Sequence, residues 1–187
     1  MSGRPSSFTT GSGFLNNVNG MITNYDFTRV FPGSQSDAPI RAFHSLYFVL
    51  SVRVDGANEG MDAQTTLWGG NADNFLISPD GKTITPVEGS YGIGGTELGF
   101  FIHSLCQNGV PEAHIPDGDA INYEAIIGTR ARFVQVPRID KATGKPRKRV
   151  VKAGKFAGRE FDQTSVQVSQ VLALPPQMAD KPNGKGI

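Results

Sequence analysis

The sequence predicts a mainly β domain, and three observations support this. The 187 residues are enough for one domain with its own core, and 23 glycines and 12 prolines indicate many turns. Several segments alternate polar and apolar residues with the period of two that is typical of a half-buried strand. Only residues 97–108 show a convincing helical period. We therefore expect a β domain with a single helix.

The first three strands are predicted before residue 70. Residues 1–20 are polar and glycine-rich, which indicates a flexible lead-in, and residues 21–31 form an imperfectly alternating strand. Residues 46–54 are the clearest strand, because every second residue is apolar, namely Leu46, Phe48, Leu50, Val52 and Val54. Residues 63–68 form the third strand, which Gly69 and Gly70 end.

A hairpin and the helix follow. Residues 75–77 and 83–85 flank Pro79-Asp80-Gly81, a sequence typical of a tight turn. Thr96 is suited to cap a helix, and Gly109 and Pro111 are suited to stop it. Between them lies an amphipathic stripe of Leu98, Phe101, Ile102, Leu105 and Cys106.

Two further strands, residues 123–137 and 164–174, enclose a segment that we call the basic arm, residues 138–159. The arm has one acidic residue and a net charge of +8, whereas the rest of the chain has a net charge of −7. Such segregation favours a polyanionic partner, although a merely solvated loop is the alternative. The basic residues are Arg138, Lys141, Lys145, Arg147, Lys148, Arg149, Lys152, Lys155 and Arg159.

The order of these elements predicts an OB-like five-stranded barrel over residues 21–175, with one helix between strands three and four. The basic arm then forms a long loop between strands four and five, and residues 176–187 form a polar tail. In OB-folds this loop and the open strand face bind nucleic acid strands. The sequence thus places its positive charge where such a fold binds a polyanion.

Aromatic and arginine residues on the strands are candidates for the remaining contacts. Arg130 and Arg132 share one face of their strand, and Tyr47 lies opposite the apolar face of its own. We expect Trp68, Tyr47 and Phe133 to stack on bases, with burial of Trp68 and Phe133 in the core as the alternative for those two.

Other chemistry is poorly supported. His103, Cys106 and His114 do not supply the four ligands of a structural zinc site, and a single cysteine allows no internal disulfide. Asp117-Gly118-Asp119 lacks the further ligands of a calcium loop, and the glycines before Thr96 lack a phosphate-binding lysine. No nucleophile–base set is recognisable. We expect no cofactor, no metal and no enzymatic activity.

Three segments, residues 20–27, 69–82 and 98–111, resemble in pattern and order the phage-encoded single-stranded-DNA-binding proteins of the OB-fold type, and the resemblance extends over residues 14–174. It implies a protein that coats single strands during phage DNA replication and recombination, in the cytoplasm of a bacterial host. Many such proteins end in an acidic tail that recruits partners. Here residues 176–187 are slightly basic, which departs from that pattern.

The expected function is therefore binding of single-stranded DNA without sequence specificity, with RNA left open. A homo-oligomer is also compatible with the sequence. The alternative is a phage structural or subunit-interaction protein whose arm and termini clasp neighbouring subunits. No apolar run approaches the ~20 residues of a membrane span, and no signal-type segment is evident, so we expect no membrane partner.

Overall fold

The computed structural model describes residues 15–30, 44–57, 61–89, 92–116, 118–150 and 154–179. These parts of the chain contain ten strands and two α-helices. In chain order they are β1 (Val18–Thr28), β2 (Ser45–Val54), β3 (Ala63–Asn71), β4 (Phe75–Ile77), β5 (Thr83–Pro86), α1 (Glu97–Gln107), β6 (Ile121–Asn122), β7 (Arg130–Pro137), β8 (Lys148–Val150), β9 (Glu160–Asp162), β10 (Thr164–Ala173) and α2 (Pro176–Ala179).

The five long strands form one antiparallel sheet in the order β10-β7-β1-β2-β3. Three consecutive strands lie side by side, and β7 returns after a long connection to pair with β1, which is the Greek-key arrangement. The prediction of a mainly β domain is confirmed. The sheet is open, with β10 and β3 at its edges, and a closed barrel is not shown.

The predicted small hairpin is also confirmed, as β4 pairs with β5 and β5 with β6. Its turn is held against β1, because the Phe27 N–H donates to the Gly81 carbonyl at 2.7 Å. Lys82 Nζ donates to Asn24 Oδ1 at 2.7 Å and to Asp26 Oδ1 at 2.8 Å. The hairpin therefore packs against the C-terminal half of β1.

Buried aromatic rings fill the centre of the core. Tyr25 stacks on Phe48 with ring centroids 5.3 Å apart and meets the edge of Tyr123 at 6.2 Å. The Tyr25 hydroxyl donates to the Lys82 carbonyl at 2.8 Å and accepts from the Tyr123 N–H at 2.9 Å. These two hydrogen bonds compensate the cost of removing the Tyr25 hydroxyl from water.

Helix α1 lies against both edge strands of the sheet and bonds to their backbones. Ser104 Oγ accepts from the Val168 N–H on β10 at 2.9 Å, and Asn108 Nδ2 donates to the Val168 carbonyl at 3.0 Å. At the other edge, Glu97 Oε2 accepts from the Trp68 N–H on β3 at 2.8 Å. We call this line of contacts the seam. Polar side chains of the helix thus act there as hydrogen-bonding partners for open sheet edges.

Local sequence explains how α1 begins. Thr96 Oγ1 accepts from the Gly99 N–H at 3.1 Å, which is the bond expected of an N-cap residue. Gly99 is required by space, since a Cβ there would lie 2.3 Å from the Ile93 carbonyl oxygen. The helix buries Leu98, Phe101, Ile102 and Leu105 against the sheet.

The expectation that residues 123–129 belong to a strand is wrong. Residues 124–126 form a 3₁₀ turn, and the strand starts only at Arg130. The turn brings both Tyr123 and Ile126 into the core, which an extended backbone with alternating sides could not do. Gly128, at φ +92°, then returns the chain to β1 by donating to the Ile22 carbonyl at 2.8 Å. Core burial has overridden β-branched propensity.

The ends of the domain also differ from expectation. Strand β1 starts at Val18, ahead of the predicted residue 21, and Leu15 packs in the core. At the other end, Met178 of α2 is buried, so the domain extends into the residues predicted as tail. Residues 1–14 of the predicted lead-in, Phe31, and residues 180–187 of the predicted tail lie outside the described residues.

The bond between Ser104 and Val168 at the seam leads to a prediction about stability. Ser104→Ala should lower the free energy of unfolding by about 1–3 kcal/mol, because it leaves the buried Val168 N–H without its acceptor. Urea denaturation measures this. Ser169→Ala is the matched control, since Ser169 is exposed on the same strand and makes only a 3.4 Å contact. Equal stability of the two variants would show that the seam bond contributes nothing.

Candidate nucleic-acid interface

Thr28, Tyr47 and Trp68 form one row on the outer face of the sheet, which we call the aromatic row. It contains two of the predicted aromatic contacts. Thr28 is opposite Tyr47, and Tyr47 is opposite Trp68, so all three project from the same face. Of the neighbours Leu67 and Trp68, Leu67 is buried and Trp68 points outward with 39% of its surface exposed. Tyr47 is half-buried. The structure therefore brings Trp68 and Tyr47 together.

Arg130 and Arg132 lie on the outer face of β7, at a different level of the sheet. Arg130 is opposite Met21 near the start of β1, whereas the aromatic row crosses β1 at Thr28, the last residue of that strand. Arg130 is paired with Asp55 at 2.6 Å, and Arg132 Nε donates to Asn17 Oδ1 at 3.0 Å. Arg130 is thus exposed and Arg132 half-buried, and neither is a neighbour of the aromatic row.

Phe133 is not a stacking residue, and that prediction is wrong. Its side chain is completely buried in the core with Ala131, because strand alternation turns these two residues inward when Arg130 and Arg132 face outward. The alternative interpretation, that Phe133 belongs to the core, is the one the structure supports.

The basic arm is folded at its root. The Arg147 N–H donates to the Arg138 carbonyl, the Gln163 N–H to the Arg147 carbonyl and the Arg138 N–H to the Gln163 carbonyl, at 2.7, 2.8 and 2.8 Å. Asp140 organises the first turn, where its Oδ1 accepts from the Ala142 and Thr143 N–H groups. Strands β8 and β9 then form an antiparallel pair. The arm therefore begins as an extension of β7 and returns into β10.

The return strand lowers the charge of the arm. Glu160 and Asp162 lie on β9, and Lys148 pairs with Glu160 at 3.2 Å. Residues 138–163 together have nine basic and three acidic side chains, a net charge of +6. Five cations on the described part of the arm are exposed and have no carboxylate partner among the described residues, namely Lys141, Lys145, Arg147, Lys155 and Arg159.

Two predicted arm contacts cannot be placed in full. Lys152 lies outside the described residues, and Arg149 is described by its backbone, which pairs with Phe161 in the β8–β9 ribbon. Phe161 was missed by the sequence analysis, which ended the arm at residue 159. Its position in a short apolar–acidic alternation, Glu160-Phe161-Asp162, was the available signal.

Apolar side chains are exposed along the arm. About half of the surface of Ile139, Val150, Phe156 and Phe161 is open to solvent. Phe156 lies beside two cations, with Arg159 Cζ 5.2 Å and Lys155 Nζ 6.0 Å from its ring centroid. These distances are those of cation–π contacts. The arm thus combines cations with aromatic surface.

A carboxylate joins the arm to the aromatic row. Glu97 Oε1 lies 3.2 Å from Arg138 Nη2, at the arm root, and its Oε2 accepts from the Trp68 N–H. The Glu97 side chain is only 14% exposed, and burial raises its pKa above the ordinary value despite the Trp68 N–H and the charge of Arg138. Sequence analysis missed Glu97, because an acid in the first turn of a helix is common for its favourable interaction with the helix dipole.

The described residues contain no group of three or more His, Cys, Asp or Glu side chains that could hold a metal ion. His103 is exposed on α1, and Cys106 is half-buried in the same helix. In the same parts of the chain, no helix has both the length and the apolar composition needed to cross a bilayer.

Comparison of the chain with protein-family models, curated proteins and solved structures yields no match. The assignment of a function therefore depends on the geometry of the chain itself.

The raised pKa of Glu97 predicts how Glu97→Gln changes stability. The Glu97 carboxylate binds a proton more tightly in the folded state than in the unfolded state. Its ionisation at neutral pH therefore lowers the free energy of unfolding. Glu97→Gln should hence be at least as stable as the parent protein at about pH 7. Its advantage should shrink towards zero as pH falls to about 4, where the carboxyl is protonated in both states.

The measurement is urea unfolding of both proteins across this pH range. The other carboxylates titrate in both proteins, so their contribution cancels in the difference between the two free energies of unfolding. A variant that is less stable than the parent at neutral pH would show that the pair with Arg138 outweighs burial.

Proposed function

We propose that this protein binds single-stranded DNA without sequence specificity, with phosphates on the basic arm and bases on the sheet around Trp68. The observation that carries the proposal is the Glu97 contact, which sets an exposed aromatic residue beside the root of a cationic arm. Single-strand binders need these two parts together, a positive path for the backbone and an aromatic platform for the bases.

Arm charge supports phosphate binding. Lys145, Arg147 and Lys148 line one open surface depression of about 570 Å³ at the base of the arm. The net charge of +6 over residues 138–163 raises the local positive potential. Each phosphate neutralised there releases counterions, so the affinity falls steeply with salt.

The aromatic row supports base stacking. Every base has a π-face, so stacking on Trp68 or Phe156 tolerates any sequence at ~1–3 kcal/mol per base. Tyr47 lies directly beside Trp68 on the same face and extends that surface. Nothing in this arrangement requires recognition of base edges.

The fold proposed for this function is the OB-like barrel. The strand order β3-β2-β1-β7-β10, with α1 at the open seam, is compatible with a partly open Greek-key barrel. In such barrels the loop between the fourth and fifth strands contributes to binding, and the basic arm occupies the corresponding connection. A role in phage-type DNA replication or recombination follows from the resemblance, and single-stranded RNA remains an alternative ligand.

A second candidate function is a subunit-interaction protein whose arm clasps a neighbouring copy. The exposed apolar side chains of the arm, Ile139, Val150, Phe156 and Phe161, favour it, because such surface commonly becomes buried in an interface. A stable oligomer in sedimentation, together with no affinity for oligo(dT), would favour this function over DNA binding.

The electrostatic part of the proposal predicts a change in salt dependence. Lys141→Ala, Lys145→Ala and Arg147→Ala combined should weaken binding at low salt and reduce the log–log salt slope by about two, at ~0.7 per phosphate contact. The measurement is an oligo(dT) titration at several salt concentrations.

The matched control keeps the charge, with Lys141→Arg, Lys145→Arg and Arg147→Lys combined, and should retain the slope. An unchanged slope in the alanine variant would show that the arm does not contact phosphates.

Stacking predicts the opposite behaviour for the aromatic residue. Trp68→Ala should weaken binding by ~1–3 kcal/mol with little change in salt slope, because stacking releases no counterions. Trp68→Phe should retain most of the affinity. Leu76→Ala removes an apolar side chain that is more exposed, on the small hairpin, and serves as control. Equal losses in Trp68→Ala and Leu76→Ala would contradict stacking at Trp68.

A further inference from the structure

We propose that Glu97 is a positioning residue that holds the arm root and the aromatic strand in register, so that one nucleotide meets Arg138 and Trp68 together. The proposal rests on the proposed function, because it concerns how the two parts of that site are aligned. It assigns a role in binding a polyanion to an acidic residue, the residue type that electrostatics alone would exclude from such a site.

The two carboxylate oxygens of Glu97 have different partners. Oε2 accepts from the backbone N–H of Trp68 at 2.8 Å, and Oε1 faces Arg138 Nη2 at 3.2 Å. The Trp68 N–H belongs to the open edge of the sheet, since β3 pairs with β2 alone among the described strands. One side chain thus connects an edge strand to the arm across the seam.

The position of this carboxylate is fixed from the helix side. Glu97 is the first residue of α1, which Thr96 caps and which approaches the Ile93 carbonyl closely at Gly99. Farther along, Ser104 and Asn108 fasten the same helix to β10. The helix therefore sets where Glu97 lies, and Glu97 in turn sets where Arg138 and the edge of β3 lie.

Arg138 keeps capacity for a phosphate while it is held. A guanidinium has five N–H donors in a planar fork, and the contact with Glu97 involves one nitrogen, Nη2. The side chain is 29% exposed, so it is partly open to a ligand. The carboxylate consequently orients a cation that remains able to bind an anion bidentately.

Orientation and simple electrostatics predict opposite signs for one substitution. If Glu97 acted only through its charge, Glu97→Gln would remove a repulsion and strengthen binding of DNA. If Glu97 positions Arg138, the same change weakens binding, although glutamine keeps an acceptor for the Trp68 N–H. The sign of the change is therefore diagnostic.

The experiment is a double-mutant cycle of Glu97→Gln and Arg138→Ala, titrated with oligo(dT). Trp68 is the single tryptophan of the chain, so its fluorescence reports the site directly. We expect Glu97→Gln to raise Kd about tenfold, because the guanidinium of Arg138 loses the ion pair that orients it. In the Arg138→Ala background it should have no further effect. Glu112→Gln, which neutralises an exposed acid after the helix, should not weaken binding.

Three binding results would overturn the proposal. Unchanged or tighter binding by Glu97→Gln would reduce Glu97 to a repulsive charge, and full weakening in the Arg138→Ala background would show that it acts elsewhere. Absence of oligo(dT) binding by the parent protein would overturn the proposed function as well, and so is distinguishable from the first two.

Hydrogen exchange of the Trp68 amide without DNA provides a readout that binding does not affect. Glu97→Ala should speed this exchange by removing the acceptor, and Glu97→Gln should not. Equal exchange in parent and Glu97→Ala would show that the contact does not form in solution, which also overturns the proposal.

Discussion

The structure depends on the seam, where side chains of one helix bond to the backbones of two sheet edges. A five-stranded open sheet leaves two rows of backbone groups unpaired, and these invite pairing with other chains. Here Ser104 and Asn108 satisfy Val168 on β10, and Glu97 satisfies Trp68 on β3. The helix is thereby more than a cover for the core, because it determines how the two edges face each other.

The candidate site follows from that arrangement. The arm leaves the sheet after β7 and re-enters at β10, so its root lies at the seam, and the outward aromatic of β3 lies at the same seam. Glu97 therefore serves both as an edge acceptor and as the partner of the arm. Burial raises the pKa of Glu97, and perturbed carboxyl groups are common at functional sites, which is why Glu97 belongs to the candidate site.

Local patterns predicted the parts of the fold that depend on neighbours in sequence. The buried face of β2 with Leu46, Phe48, Leu50 and Val52, the turn at Gly81 and the capping by Thr96 are properties of a few adjacent residues, and the structure has each of them. Residues 123–129 look like a strand for the same local reasons, yet the core takes both Tyr123 and Ile126 and a turn results.

The site was harder to predict, because its geometry comes from pairing. Trp68 faces outward and Phe133 inward, and only the register of the sheet decides this. The charge of +8 holds for residues 138–159, but pairing brings Glu160 and Asp162, which lie just beyond the predicted arm, against β8. Glu97 contacts Trp68 and Arg138, both distant in sequence, and no local signal indicates either contact.

The central place of β1 has a consequence for the order in which the molecule forms. Strand β1 pairs on one side with β2, the next strand along the chain. On its other side it pairs with β7, where Val18 lies opposite Phe133, more than 100 residues later in the sequence. Chains emerge from the ribosome N-terminus first, at about 5–20 residues per second. The β1–β2–β3 meander is thus synthesised with an uncovered apolar face and an unpaired β1 edge. Helix α1 packs on that face and β7 pairs with that edge only after residues 97–137 have been made. Pairings so distant along the chain slow folding, and the growing chain needs shielding from its neighbours during that interval.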